Sequence, residues 1–493
     1  MEASEKSRTS ENGTMETKQL DAEMAKWPEE KTAHSECPVI HSEGEKTKLV
    51  SPELYSESPP KDIVMDTEDT RLLESLPSRD VSNLRTYMNL FKTLTGPSTV
   101  GMPRVIRNGG LLTGFVGFLI IGFLNAHCNI TMVKCSRVLG KRTGKTWYTY
   151  EDVVEESFAS FFTESKWVKA AKYSRRLALW MLILCQLGLL SFYYQIIATT
   201  IKKEIELSFP TVRIPLVVME LCVCICVLPY SWLRNLKMLA WFSSFGNLLN
   251  IISIVTIIQY SVTHMLPVSS IHLVPPNPWT FPLFIGGAVF TVEGIAMILP
   301  IENRASRPQD YTGSFGIIAM ATATNVLLNL TTGFYGYLAF GDEATGNILV
   351  SLPDMWWYRV ISITYASVVF LTFNLQLYQP AEAIYAMLLQ RFHTDFVVTF
   401  GNVGIRSAIV ILTFLFAALI PAVELMMSLV GAFTAAFLVF ILPIVCELIL
   451  LRGEPGGISW FTWSKDIILL VFGVAAFVMG SYTSLRDIVL RLS

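Results

Sequence analysis

Charge is what this sequence has least of. Only 16% of its 493 residues are Asp, Glu, Lys or Arg, against about 25% in an average soluble chain. A net formal charge of −2 provides no basic face for a nucleic acid. The eight cysteines are Cys37, Cys128, Cys135, Cys185, Cys222, Cys224, Cys226 and Cys446, and none sits at a metal-ligand spacing. The CVCIC run reads as packing, and no structural disulfide is expected. The loops hold no nucleophile–base arrangement, which argues against an enzyme. No segment carries a ring-forming charged repeat or a filter-like loop, which argues against a channel. The opening MEASEKSRTSENGT has no apolar core, so no cleavable signal peptide is expected there.

Apolar residues fill the remainder. They make up 52% of the chain, and the mean hydropathy is +0.47. Residues 1–85 are rich in Ser, Glu, Lys, Thr and Asp without apolar periodicity, so this tail is expected to be disordered. Within it, Glu68-Asp-Thr-Arg-Leu72-Leu73 fits the acidic-dileucine address that sorting adaptors read. A stray apolar pair ahead of a membrane helix is the alternative. From residue 86 onward, apolar runs recur at 87–109, 111–137, 177–201, 213–233, 238–263, 280–301, 314–338, 357–388, 402–420, 422–450 and 465–488. Each is near the ~20 residues that carry a helix across ~30 Å of hydrocarbon. The fold class expected is therefore an all-α polytopic membrane protein with about eleven spans.

Lys and Arg crowd the loop between the second and third runs, and recur in alternate loops as Arg234, Lys237, Arg304, Arg307, Arg391, Arg406 and Arg452. The stretches 264–278 and 341–356 on the other side have none. This bias predicts a cytoplasmic amino terminus. Residues 151–172 look like an amphipathic cytoplasmic surface helix. The sequons at Asn129 and Asn329 fall inside apolar runs, and Asn12 falls on the cytoplasmic side, so no N-glycan is expected.

Two runs are interrupted. The sixth, FPLFIGGAVFTVEGIAMILPIENR, carries Glu293 near its middle, with Gly286, Gly287 and Gly294 around it. A carboxylate at that depth costs a few kcal/mol and usually faces a cavity or a partner. A neutral carboxyl packing helices together is the other reading. The first run carries Gly96-Pro97, then Ser98, Thr99, Gly101 and Pro103. Proline frees a carbonyl, and a membrane helix accommodates that where the freed group meets protein or water. A plain kink would explain the first run alone. Paired breaks at corresponding places in two five-helix halves point instead to an inverted-repeat secondary transporter. The repeats would cover about 87–263 and 280–450, with 465–488 as an accessory helix, all within one domain from 86 to 493. Helix amino-terminal ends and unwound carbonyls at such breaks suit a zwitterionic amino acid.

The sixth-run block 281–303, YGYLAFG (335–341), LYQPAEAI (377–384) and NAHCNITMVKCS (125–136) resemble the proton-coupled amino-acid transporters of the amino-acid/auxin permease group. The resemblance covers nearly everything from residue 86 onward. It implies proton-coupled transport of small neutral amino acids across the plasma membrane or an endosomal or lysosomal membrane, with no cofactor beyond the co-transported proton. By resemblance, substrate contacts fall on Thr93, Thr95, Gly96, Ser98 and Thr99 in the first span and on Phe290, Thr291 and Gly294 in the sixth. Tyr194 with Tyr193 in the third span, and Thr372 with Asn374 in the eighth, line the cavity by analogy. Proton coupling falls on His127 and Glu293; a neutral, hydrogen-bonded His127 is the alternative. Where the family has a Gly-Asn-Ile-Gly-Thr-Gly run, this chain has Thr93-Leu94-Thr95-Gly96-Pro97-Ser98. That departure motivates a second reading, an amino-acid sensor that binds with little turnover and signals through its tail. Glu220 reads as a structural hydrogen-bonding group. Glu302 and Glu382 are expected to end their spans near Arg304 and Arg391.

Overall fold

The computed structural model describes residues 79, 81–161, 165–233, 236–313, 315–391, 395–420, 422–452 and 459–492. Most of the predicted tail lies outside them, with Asn12, Cys37 and the Glu68-Leu72-Leu73 pattern. Among the described residues, structure is present ahead of the predicted boundary at 86, where Val81 bridges Ala305 and a helix starts at Asn83.

Among the described residues, nine helices are long and apolar enough to cross a membrane. The two predicted runs that fall short do so for different reasons. The fourth, Leu216–Ser231, is an apolar helix of 16 residues. The first is broken into Asn83–Leu94, a 3-10 turn Pro97–Gly101, and Met102–Gly109. Segments keep their predicted ordinals below. Large apolar side chains such as Phe123, Ile225, Leu415 and Val471 stand exposed, while Asn125, Asn129, Asn325, Asn329 and Arg406 are buried. An apolar exterior around an interior that also encloses polar side chains is the arrangement a bilayer imposes, because hydrocarbon solvates the outside.

The segments sort into two packed groups. The seventh, Ile317–Phe340, packs on both halves of the first and on the second, Leu111–Thr143. The front of the sixth, Thr280–Thr291, packs on Met102–Gly109 and on Val423–Val430 of the tenth. In the other group the third (Ser165–Ser208), fourth, eighth (Trp356–Arg391) and ninth (Asp395–Leu419) pack together. The fifth, Leu236–Thr263, touches both groups through the seventh and eighth. The two groups meet where the first and sixth segments break.

The tenth and eleventh segments contain π-helical turns at Gly431–Ala435, Phe437–Ile441 and Ala476–Gly480. Such single-turn bulges insert a residue into a helix and often mark functional places. Here two of them pack on each other: Phe433 stacks on Phe477 at 5.2 Å, and a β-carbon on Gly480 would come within 2.6 Å of Ala432 Cβ. The eleventh segment therefore lies close along the tenth.

The predicted surface helix 151–172 is two elements. Tyr150–Phe161 is a short helix, and residues from Ser165 belong to the long third segment. Tyr150, Val153 and Val154 are buried, since the short helix packs on the tenth and third segments. Amphipathicity marked a helix with one wet face, and tertiary packing decided what covers the other.

Candidate functional site

The first break starts where proline denies the chain a donor. Leu94 ends one helix, and Thr95 and Gly96 leave helical geometry before Pro97 opens the 3-10 turn. The freed groups find partners inside the protein. Thr99 N–H and Oγ1 both donate to Gly96 O, and Tyr365 of the eighth segment donates from its hydroxyl to Pro97 O at 3.3 Å. Thr95 Oγ1 lies 3.3 Å from Asn325 Oδ1 of the seventh segment. A β-carbon on Gly96 would meet nothing nearer than Ser98 Oγ at 3.9 Å, so there is room beside that glycine. Ser98 and Thr99 are buried, and Thr93 is half-buried with its hydroxyl spent on Asn89 O.

In the sixth segment the helix ends at Thr291 and resumes at Ile295. Asn125 of the second segment donates to Val292 O at 3.1 Å, satisfying a carbonyl that the break exposes. Gly294, at the cap position of the restarted helix, has no side chain to offer, and the Glu293 carboxyl next to it interacts with the first-turn N–H of Ile295. Gly286 and Gly287 lie inside regular helix and serve close approach rather than unwinding. Gly431 of the tenth segment sits against Gly286 O, and a β-carbon on Gly287 would fall 2.8 Å from Val105 Cγ2. Gly294 is the glycine at the break. A β-carbon there would come within 2.6 Å of Leu94 Cδ2, so the two breaks face each other directly.

The predicted contact residues divide. Phe290 is buried against Phe192, ring centroids 5.2 Å apart, and Thr291 Oγ1 is spent on Gly287 O at 2.8 Å. Tyr194 turns away from the breaks: it packs on Phe373 and reaches Val410 O of the ninth segment. Phe192 is the third-segment aromatic that meets the sixth. Tyr193 also lies against Phe373. Thr372 bonds its own helix, and Asn374 holds Tyr230 O and Leu233 O at the end of the fourth segment. Those two positions are structural.

His127 and Glu293 are not partners. Lys465 Nζ lies 3.0 Å from His127 Nε2. An ammonium has only hydrogens to offer, so Nε2 accepts and the imidazole carries its hydrogen on Nδ1. Glu293 Oε1 has no hydrogen-bond partner, and its carboxyl is within electrostatic reach of Tyr150 and Cys185. Glu220 is buried with neither oxygen partnered, so the hydrogen-bonding role predicted for it has no visible partner. Glu302 pairs with Arg137 at 2.8 Å rather than Arg304, and Glu382 pairs with Arg406 at 3.2 Å.

A group of asparagines escaped the sequence reading. Asn125 and Asn129 on the second segment, and Asn325 and Asn329 on the seventh, are fully buried at i,i+4 spacing beside the breaks. Asn329 donates to Asn325 Oδ1 at 2.8 Å. Yet Asn125 Oδ1, both polar atoms of Asn129, Asn325 Nδ2 and Asn329 Oδ1 lack partners. Buried amides left unpaired cost free energy and call for a ligand or water. The sequence signal for them is two Asn at helical spacing in each of two apolar runs.

Polar contacts fasten both ends of the site. At one end Val81 bonds Arg304 O and Ser306 N, and Asn83 donates to Asp310 at 2.6 Å. Arg137 adds bonds to Thr312 and Pro308 O beside its Glu302 pair. At the other end Arg104 lies 3.7 Å from Glu424, which also pairs with Arg491 at 3.0 Å, and Arg107 pairs with Asp342 at 3.1 Å.

Two broken helices meeting inside an apolar-skinned bundle define a membrane transporter, not an enzyme. The family follows from the sequence match: the chain belongs to the transmembrane amino acid transporter protein family, whose model matches residues 79–486. It is 28% identical over 413 residues to the Drosophila melanogaster "Proton-coupled amino acid transporter-like protein pathetic", covering 82% of this chain and 84% of that one. It is 24% identical over 455 residues to the Caenorhabditis elegans "Probable amino acid transporter skat-1", covering 86% and 95%. Among solved structures it shares the fold of Mhp1 in its inward-facing conformation, with a TM-score of 0.51 at 12% identity over 84% of this chain and 91% of that one.

Proposed function

We propose that this protein is a secondary active transporter that carries small neutral amino acids together with protons. The observation that carries the reading is the juxtaposition of the two breaks, with Gly294 against Leu94 and room beside Gly96. The positive end of the helix restarting at Ile295 suits a carboxylate. Carbonyls and the unpaired Oδ1 atoms of Asn125, Asn129 and Asn329 around the breaks suit an ammonium. Small substrates fit because Phe290, Phe192 and Leu94 crowd the same place. The first relative's name pairs amino acids with protons, in line with this reading. The basic loops would face the cytoplasm, and the packed group that carries both breaks, drawn from both inverted repeats, would rock against the other group about the site.

Purified protein in proteoliposomes tests this. Radiolabelled glycine or alanine accumulates when the outside is made acidic, and the accumulation collapses with a protonophore. Saturable binding without flux would instead establish the sensor reading, which the altered Thr93–Ser98 stretch motivates.

A further inference from the structure

The second, tenth and eleventh segments enclose a cluster of charge away from the breaks. Lys465 Nζ contacts His127 Nε2 at 3.0 Å, Asp466 Oδ1 at 2.9 Å and Glu447 Oε2 at 3.4 Å. Asp466 is fully buried, its Oδ1 is in ion-pair contact without hydrogen-bond geometry, and its Oδ2 meets no donor. The Glu447 and Asp466 carboxyls flank the same ammonium, one from each of two packed segments. Neither can donate to the other while both are ionised. One ammonium faces two carboxylates and a neutral imidazole, which leaves the cluster one negative charge in excess.

Among the described residues, no second cation is in ion-pair contact with Glu447 or Asp466. Cys128 and Cys135 of the second segment are within electrostatic reach of both carboxyls, Cys446 of the tenth and Tyr150 of the short helix are within reach of those cysteines, and all four are buried. Lys134 is near enough to be felt at His127 but stands exposed. A hydrogen between the two carboxyls removes the excess charge and gives the orphaned oxygen of Asp466 its bond. Paired carboxyls in contact hold one proton between them for this reason.

We propose that Glu447 and Asp466 share one proton, and that this pair, steadied by Lys465, is a site where the protein takes up and releases the co-transported proton. The inference rests on the proton-coupled reading above. In the step itself a hydronium ion gives up a proton: one of its O–H bonds breaks, one O–H bond forms on a carboxyl oxygen, a water molecule leaves, and the cluster passes from one negative charge to neutral. His127 accepts from Lys465 throughout and is a positioning residue. The site has a mechanical connection to the breaks. The tenth segment runs from Glu447 back to Gly431, which rests on Gly286 of the sixth. Tyr150 lies within electrostatic reach of Cys128, Cys446 and Glu293.

The test uses Asp466→Asn and Glu447→Gln separately, each close in shape to the original, with His127→Ala for comparison. Three readouts are taken on full-length reconstituted protein: accumulation driven by a pH gradient, amino-acid exchange at equal pH, and the infrared carbonyl-stretch band of a protonated carboxyl during a pH titration. Both carboxyl variants are expected to lose gradient-driven accumulation and the titrating band while retaining exchange. His127→Ala is expected to retain the band. A band and an accumulation unaffected in both carboxyl variants would overturn the inference, as would loss of exchange along with accumulation in protein that remains monodisperse. Absence of accumulation in the wild type would sink the transport reading instead, while the band still decides whether the pair holds a proton.

Discussion

Gly294 of the sixth segment stands directly against Leu94 of the first, so closely that a β-carbon at the glycine would come within 2.6 Å of Leu94 Cδ2. At Gly294 φ is 175°, outside the left-handed region, and the crowding against Leu94 makes the demand for glycine one of space. Gly294→Ala should cost about 1–3 kcal/mol, the usual range for overpacking a core. It should also reduce flux, because the added methyl presses on the break. The double variant Leu94→Ala/Gly294→Ala should recover part of both. Thermal unfolding and uptake measured on all three make a cycle, and additive effects would show that the two residues are not coupled.

Gly431 and Gly286 should be less forgiving. The clash at Gly431 is with the carbonyl of Gly286, which is main chain and cannot rotate aside. Gly431→Ala should therefore destabilise more than Gly294→Ala. A lower yield of monodisperse protein in detergent is the readout, and a stability equal to Gly294→Ala would contradict the argument.

Arg406 is completely buried and spends its guanidinium on Glu382, Asn402 Oδ1, Ser231 O and Asn374 Oδ1. It ties the ninth segment to the fourth and eighth. Removing it leaves buried carbonyl and amide acceptors without a donor, while Glu382, whose side chain is 37% accessible, keeps Asn402 and solvent. Arg406→Met is expected to lose about 1–3 kcal/mol, the range for leaving buried polar groups unsatisfied. Lysine should not restore it, because one ammonium cannot reach all of these acceptors. Melting temperatures of the two variants check both statements.

Glu424 sits between Arg104 and Arg491 and is partly exposed, with a side chain 16% accessible. Pairs of this kind contribute about 0–1 kcal/mol to stability. Glu424→Gln should therefore leave the melting temperature nearly unchanged while loosening that end of the site. A cysteine introduced at Ser98, in a background free of other reactive thiols, should then react faster with a polar reagent. An unchanged labelling rate would mean that this contact does not guard access.

The breaks were legible because Gly96-Pro97 and Gly294 announce themselves by backbone chemistry, and apolar runs follow from the thickness of a bilayer. What covers what was not legible. Tyr194 and Phe192 stand two residues apart on one helix, yet helical geometry sends one to the ninth segment and the other to Phe290. Lys465 and Asp466 fell at the edge of the predicted 465–488 run. The helix begins at Trp460, which carries the pair more than one turn inside the segment and against His127. The buried asparagines were hidden for a related reason: an Asn in an apolar run says nothing about its neighbours until helices two and seven are side by side.

The π turns of the tenth segment have a consequence for lineages that gain or lose residues there. A π turn holds one residue more than an α turn, so deleting a single residue from Gly431–Ala435 would close it to regular helix and leave the downstream faces in register. Deleting one between Leu442 and Cys446, in regular helix, would instead swing Glu447 by about 100° around the axis and away from Lys465, while Gly431 upstream stays seated on Gly286. One codon would thus be enough to uncouple the ion cluster from the substrate breaks without touching either.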